Sequence, residues 1–296
     1  MITRACISIN NSCNLNCAYC HFHTTNKAPY LTPVYMDVYK ILDNIKFHID
    51  KYSIKVFKLG FVGNGEPLLN YQALTGYIRH IADYLSDGRI AAYTITNGTL
   101  VTEERLHFFK TYKINVGFSI DGIPEIHNKW RCGTHKEVMN AIELYHWVNG
   151  CYPSMNCTVN RDTLNRTDDT IAFFEPFGNR ITFSRMIGKD GISLNEFREF
   201  ISKAKQRLNV RTGGYDCTMY GGMCGAGINN VFYANNKVYL CGNCVDIPAI
   251  ADASVSLESI NPNLPPFDRK QCYRENQHIC SSSQTTDASL RWTSAL

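Results

Sequence analysis

The chain has 296 residues, 44% hydrophobic, 12% aromatic and 19% charged, which are the proportions of a folded globular protein and not of a disordered, collagen-like or coiled-coil chain. The 30 basic and 26 acidic residues give a net charge of +4 spread along the whole length, so no basic arm or stripe announces nucleic acid. No stretch reaches the roughly 18 to 20 apolar residues of a membrane span, and the amino terminus MITRACISINNSC lacks the apolar core of a secretion signal, so a cytoplasmic protein without a membrane partner is expected.

In chain order, short runs rich in β-branched or aromatic residues alternate with longer amphipathic stretches. Strands are predicted at Ala5 to Ile9, Val56 to Val62, Ile90 to Thr96, Ile114 to Ile120, Ser154 to Val159 and Arg180 to Ser184. Helices are predicted at about Asp37 to Tyr52, Tyr71 to Leu85, Thr102 to Tyr112, Lys136 to Asn149, Leu164 to Phe174 and Leu194 to Leu208. Repeated strand-helix units imply a parallel sheet with right-handed crossovers, and six of them favour an α/β fold of the partial (β/α)6 TIM-type barrel kind. In such folds the chemistry sits at the carboxyl ends of the strands. Here the first strand runs into NNSCNLNCAYCHFH, the second into GNGEP, the third into NGT and the fourth into DG.

Past Val210 the pattern changes to RTGGYDCTMYGGMCGAG, then a hairpin-like pair around Ala234, Asn235 and Asn236, then CGNC, a Pro-rich loop and a final pair of cysteines. A boundary is therefore expected near Asn209, with a barrel over 1–209 and a cysteine-rich carboxyl-terminal unit with a polar tail over 210–296. That unit has too little apolar periodicity to hold itself together without metal or docking on the barrel.

The 13 cysteines are the main clue, because in a reducing compartment such clusters bind metal or do redox chemistry more often than they form disulfides. Cys13, Cys17 and Cys20 form C-x3-C-x2-C in one loop straight after the first strand. A structural zinc wants four protein ligands, whereas a four-iron cluster held by three cysteines keeps one iron open to a substrate or cofactor. His21 and His23 could instead complete a zinc site with those cysteines.

The C-x3-C-x-aromatic-C loop, with Tyr19 at its aromatic position, resembles the hallmark of the radical S-adenosylmethionine (radical SAM) family. The resemblance implies a [4Fe-4S] cluster whose open iron chelates S-adenosyl-L-methionine. It further implies reductive cleavage of that cofactor to a 5′-deoxyadenosyl radical that abstracts a substrate hydrogen, and it puts Tyr19 near the adenine. Gly63, Asn64, Gly65, Glu66 and Pro67 resemble the family's Gly-Gly-Glu-Pro turn, whose backbone and carboxylate receive the cofactor's ammonium group; Asn64 departs from the commoner Gly. The stretch GFSIDGIPEIHNKWRCG resembles the segment after the fourth strand in the peptide-modifying branch, with Ser119, Asp121, Gly122, His127 and Arg131 fitting that pattern. By resemblance, Ser119, Asp121 and Arg131 belong to the cofactor site and Asn97 lies on the same rim. Read without the resemblance, Asp121 and Gly122 make a turn and Arg131 a surface ion pair. Cys132, beside Arg131, is a candidate hydrogen-atom donor or substrate contact.

Cys217, Cys224, the CGAG turn and Cys241 resemble the opening of the SPASM extension, which carries auxiliary iron-sulfur clusters in many radical enzymes that modify peptides. A full extension has more late cysteines than Cys272 and Cys280 supply, so a reduced, Twitch-like form with one auxiliary [4Fe-4S] cluster is expected, its fourth ligand being Cys280, Cys272 or Cys244. A zinc ribbon of Cys241, Cys244, Cys272 and Cys280 is the competing reading. The resemblance as a whole implies an enzyme of peptide or protein modification, as in the maturation of ribosomally made peptide products. It would oxidise, cross-link or epimerise a residue, served by an electron donor such as flavodoxin or ferredoxin. The chain starts only a dozen residues before the cluster loop, so the expectation is that either a separate leader-peptide-binding protein serves it or none is needed. Sulfatase-maturating enzymes resemble the chain but carry an acidic residue where Gly242 follows Cys241, which speaks against formylglycine formation. The alternatives are a radical dehydrogenase or epimerase of a small molecule and a non-catalytic zinc-binding protein.

Overall fold

The computed structural model describes residues 1–20, 36–187, 190–211, 215–220, 222–245, 248–260, 264 and 266–273, with Tyr215 and Asp216 described by backbone alone. His21, His23 and Cys280 lie outside the described residues. Strands β1 (Arg4–Ser8), β2 (Phe57–Val62), β3 (Ile90–Thr96), β4 (Asn115–Ser119), β5 (Ser154–Val159) and β6 (Ile181–Arg185) stand side by side in chain order, each parallel to the next. The period-two alternation of their side chains creates two unlike faces. Ala5 and Ile7, Leu59 and Phe61, Val116 and Phe118, and Ile181 and Phe183 are buried in the main core together with helix residues such as Ile41, Leu42 and Ile142. The opposite face carries Arg4, Lys58, Tyr93, Asn156 and Thr182, which line an open interior cavity of about 360 Å³. A closed barrel fills that space with branched side chains. Here Gly60 and Gly117 sit where a Cβ would come within 2.6 Å of the Tyr93 ring and 2.8 Å of Asn156 Nδ2, so those two side chains lie flat along the sheet and the interior stays open.

The strands are joined by α1 (Val38–Lys51), α2 (Tyr71–His80), α3 (Ala82–Ser86), α4 (Glu103–Thr111), α5 (Pro124–Trp130), α6 (His135–Asn149), α7 (Arg161–Asn165) and α8 (Thr167–Phe174), and α9 (Leu194–Ala204) follows β6. The Asp37 side chain caps α1 by accepting from the Lys40 N–H, and Ile41, Leu42, Ile45 and Ile49 form its buried stripe. The single helix expected over Tyr71 to Leu85 is two, because Ile81 leaves helical geometry (φ −113°, ψ 17°) while burying its side chain completely. The one expected over Leu164 to Phe174 is likewise broken at Arg166 (φ −124°, ψ 40°), and its first piece starts earlier, under a capping box between Asn160 and Thr163. Helix α5, started by Pro124, lies inside the stretch after β4 and has no counterpart in the predicted elements.

The cysteine-rich segment joins the same sheet. β9 (Asn230–Ala234) pairs parallel with the free edge of β1, β10 (Lys237–Tyr239) returns antiparallel, and β11 (Ala251–Asp252) adds a last short strand. Asn235 and Asn236 make the hairpin turn with φ of 50° and 59°, the left-handed pair that a two-residue connection demands. β7 (Tyr215–Asp216) and β8 (Met223–Cys224) form a separate two-stranded parallel pair. Among the described residues, no helix is long and apolar enough to cross a membrane.

Candidate functional site

The three-cysteine loop is tied to its neighbours by backbone and amide hydrogen bonds. Leaving β1, Ser8 Oγ donates to the Asn10 carbonyl (3.1 Å) and accepts from the Asn64 N–H (3.1 Å). Asn10 Nδ2 donates to the Glu66 carbonyl (2.7 Å), and the Glu66 N–H donates back to the Ser12 carbonyl (2.9 Å). Gly65 makes this approach possible, since a Cβ there would stand 2.0 Å from the Ser12 oxygen. Farther along, Asn97 Nδ2 donates to Asn14 Oδ1 (2.9 Å) and lies 4.0 Å from Cys13 Sγ, while the Ala18 N–H donates to the Trp130 carbonyl (2.9 Å). The loop after β1 is thus fastened to the loops after β2 and β3 and to α5, and Cys13, Cys17 and Cys20 are held half-buried within it. Burial pushes the Cys13 thiol up and the Cys17 thiol up to about 12, the latter against the lowering influence of Arg131. Thiolates in this setting call for a cationic centre beside them.

Glu66 is 2% exposed and its carboxylate is occupied by the protein. Oε1 accepts from the Leu68 N–H (3.1 Å) and Thr96 Oγ1 (2.7 Å), and Oε2 accepts from the Asn97 N–H (2.7 Å). Burial raises its pKa, with those donors opposing. Glu66 therefore clamps the β2 loop, including Gly63 and the 3-10 turn opened by Pro67, to the end of β3. Beside the clamp, Asn64 Nδ2 and Asn10 Oδ1 are buried with no hydrogen-bond partner among the described residues. One is a donor and the other an acceptor, so they suit a ligand that offers both, as an amino acid group does.

Asp121, fully buried after β4, is the second node. Oδ2 accepts from Tyr19 Oη (2.6 Å) and Arg131 Nε (2.8 Å), and Oδ1 accepts from the Thr158 N–H (2.8 Å). The Arg131 guanidinium lies 5.3 Å from the Tyr19 ring centroid, and Trp130 packs on Tyr19 at 6.0 Å. His127 fixes this node from behind: its Nδ1 accepts from the Asp121 N–H (3.2 Å), which leaves Nε2 to donate to Thr134 Oγ1 (3.2 Å), and Thr134 donates to the Arg131 carbonyl (2.7 Å). Burial pushes the His127 pKa down to about 4, so the ring is neutral, as the accepting Nδ1 requires. Arg131 is an interior partner of Asp121, with its side chain 12% exposed.

Ser119 ends β4 on the interior face, in register with Asn156. Cys132 is exposed, has φ 57° and stands near enough to Cys17 to raise its pKa.

In the second group, Cys217, Cys224, Cys241 and Cys272 line one cavity of about 230 Å³. Cys244 stands outside that lining, buried with Leu240 and Tyr273, its Sγ 3.3 Å from Cys241 Sγ. Burial pushes the Cys217 thiol up, and the neighbouring Cys241, Cys272 and Cys224 add to it. Among the described residues, no three Cys, His, Asp or Glu side chains converge as they would round a single ion. A cubane takes one thiolate at each of its separated irons, and thiols of one loop, or around one cavity, could supply them.

Sequence reasoning missed Ser8, Asn10, Thr96, Thr158 and Trp130 as parts of this site. The first four were legible only as small polar residues at strand ends, and Trp130 takes part through its backbone carbonyl as well as through its ring against Tyr19.

A family model described as the radical SAM superfamily matches residues 7–171, more than half of the chain. A cysteine-type anaerobic sulfatase-maturating enzyme of Clostridium novyi is 26% identical over 172 residues, covering 56% of this chain and 46% of that protein. The antilisterial bacteriocin subtilosin biosynthesis protein AlbA of Bacillus subtilis is 28% identical over 149 residues, covering 49% of this chain and 30% of that protein. The chain spans less than half the length of these curated relatives. Native anSMEcpe with bound AdoMet superposes with a TM-score of 0.67 at 20% identity, over 86% of this chain and 79% of that one. Streptococcus suis SuiB bound to S-adenosylmethionine superposes with a TM-score of 0.64 at 13% identity, over 87% and 62%. At such identities the likeness to these structures is one of fold.

Proposed function

This chain belongs to the radical SAM superfamily, and from that premise we propose that it is a maturase that abstracts a hydrogen from a peptide or protein and so oxidises, cross-links or epimerises one of its residues. Membership implies a [4Fe-4S] cluster and S-adenosyl-L-methionine, which when bound supply a 5′-deoxyadenosyl radical. Cys13, Cys17 and Cys20 are the residues to hold the cluster, with the Asn97 amide beside Cys13 favouring the thiolate form. The backbone of Gly63 to Gly65 and the unpartnered amide atoms of Asn64 and Asn10 take the amino acid portion of the cofactor. Glu66 holds those groups in place and keeps a spare lone pair on Oε2. Tyr19, oriented by Asp121 and Arg131, closes the site from the other side, and Ser119 lies on the rim toward the interior.

The observation that carries this reading is a continuous interior. The cavity lined by Cys217, Cys224, Cys241 and Cys272 shares Arg4, Tyr93 and Ile95 with the open interior of the barrel, so an auxiliary cluster on these four cysteines would adjoin that interior. Such a cluster would accept the second electron of an oxidation or bind the substrate. A peptide substrate is supported by the relatives, since anSMEcpe has been solved with AdoMet and the peptides Cp18Cys and Kp18Cys.

The test is iron, sulfide and zinc per chain after anaerobic reconstitution, followed by cleavage of S-adenosyl-L-methionine with and without peptides. About eight irons, falling to about four in a Cys13→Ala, Cys17→Ala, Cys20→Ala variant, is the expected result. Stoichiometric zinc without iron overturns the assignment. Cleavage stimulated by small alcohols and by no peptide moves the enzyme to small-molecule dehydrogenation or epimerisation.

A further inference from the structure

The interior of the barrel is charged at one end. Arg4 and Lys58, which both line the open cavity, are register partners at the starts of β1 and β2, and Arg180 and Arg211 line the same cavity beside β6. Like charges on neighbouring strands repel and weaken the pair they occupy. No Asp or Glu appears among the described lining residues; the remaining lining is small or polar, with Asn115, Asn156 and Thr182. Arg4 is steadied by Tyr93, whose hydroxyl accepts from Nη2 (3.3 Å), and the Arg211 guanidinium lies 5.2 Å from the Tyr220 ring centroid. Lys58 and Arg180 make no ion pair among the described residues. Lys58 and Arg180 are exposed and Arg4 and Arg211 half-buried, yet all four line one concavity, whose lining extends along β3 and β4 to Ile95 and Gly117.

Resting on the peptide-maturase reading, we infer that the cationic floor binds a carboxylate of the peptide substrate, so that the substrate class is a peptide with an acidic group a short way from the reacting residue. The spacing follows from the strands. Arg4 and Ser8 mark the two ends of β1, and four residues at about 3.3 Å each put the floor about 13 Å below the cofactor end. An extended peptide covers that distance in about four residues. The carboxylate belongs either to an Asp or Glu side chain or to the peptide's own carboxyl terminus.

The test uses the reconstituted full chain with S-adenosyl-L-methionine and fluorescein-labelled decapeptides, followed by anisotropy. One peptide carries three Glu and an amidated terminus, the second has Gln in their place, and the third has the Gln sequence with a free carboxyl terminus. The inference expects the Glu peptide or the free-terminus peptide to bind at least tenfold more tightly than the amidated Gln peptide, and whichever binds identifies the source of the carboxylate. It expects that preference to vanish in Lys58→Gln, Arg180→Gln and to persist in a control that removes two distant cations, Lys40→Gln, Lys203→Gln. Equal binding of all three peptides, an unchanged preference in the Lys58, Arg180 variant, or loss in the control as well overturns it. So does displacement of the peptide by inorganic phosphate at lower concentration than by free glutamate, which makes the floor a site for a small phosphorylated molecule. The two readings fail separately: Gln and Glu peptides that stimulate cofactor cleavage equally leave the maturase standing and remove the acidic preference, whereas no stimulation by any peptide removes the maturase itself.

Discussion

Asp121 holds three donors at one buried point, and replacing it with Asn tests whether that node organises the site. The substitution keeps an oxygen for the Thr158 N–H but removes the charge that Arg131 and Tyr19 face at 2.8 Å and 2.6 Å. Arg131, with its side chain 12% exposed, is then left as an uncompensated interior cation. Burial already disfavours its charge, and Asp121 is the main influence offsetting this. Breaking a buried pair from one side costs about 3–5 kcal/mol, whereas replacing both members with groups of similar volume is close to neutral. The expected cost of Asp121→Asn is therefore about 3 kcal/mol, Arg131→Met should cost a similar amount, and the double variant should cost less than either sum predicts, with a coupling of about 2 kcal/mol or more. Urea unfolding of the metal-free chain followed by circular dichroism measures all four corners of the cycle. An Asp121→Asn variant within about 1 kcal/mol of the parent, or additive single effects, would refute the claim that Asp121 and Arg131 are a buried pair and return Arg131 to the surface reading.

The remaining expectations concern the loops, the histidine and the second cavity. Gly65→Ala should drive the loop after β1 away from Ser12, lose about half the iron and spare the rest; full iron content would show that the two loops are not locked together. His127 is neutral in the fold with a pKa of about 4 against 6.5 for the free side chain, so it binds fewer protons folded than unfolded. Its contribution is complete above pH 6.5 and is lost as pH falls toward 4, which amounts to about 2 kcal/mol between pH 7 and pH 5. That slope should flatten in His127→Gln, as read from urea midpoints at the two pH values. Cys272→Ala should remove the auxiliary iron while Cys244→Ala retains it; the reverse outcome reassigns the fourth ligand. Cys132→Ala should leave both clusters intact, and an altered product distribution on a turned-over peptide would mark it as a participant in the reaction.

The barrel could be read from the chain because its strands carry the alternation and its turns the punctuation: β3 and β5 fall on the residues expected and the other four within one position. What escaped was set by tertiary demand. Nothing in Ile81 or Arg166 as residue types stops a helix, and the breaks there answer to burial and a new cap. Cysteine spacing pointed to the proposed ligands within one loop, but the choice among Cys244, Cys272 and Cys280 depends on how the chain returns after β11, and no local pattern encodes that. The cationic floor was equally hidden, since Arg4, Lys58, Arg180 and Arg211 are far apart in the chain and come to line one cavity only through strand register and the curvature of the sheet.

The turn after β2 shows how a site can depart from a family pattern without losing its geometry. Asn64 stands where Gly is commoner, yet its backbone does not adopt a positive φ, so a side chain there costs no backbone strain. The glycine that cannot be replaced is its neighbour: Gly65 alone in this turn lies against the Ser12 carbonyl, and it is retained. Asn64 also contributes what Gly cannot, a buried amide donor that the protein leaves unpartnered among the described residues. An unpartnered buried amide costs about 1–3 kcal/mol. A ligand with a matching acceptor would relieve that cost. Asn64→Gly should accordingly stabilise the empty chain by about 1 kcal/mol while weakening S-adenosyl-L-methionine binding severalfold, a trade measurable by urea unfolding and equilibrium dialysis; loss of stability with unchanged cofactor affinity would make Asn64 a packing residue and nothing more.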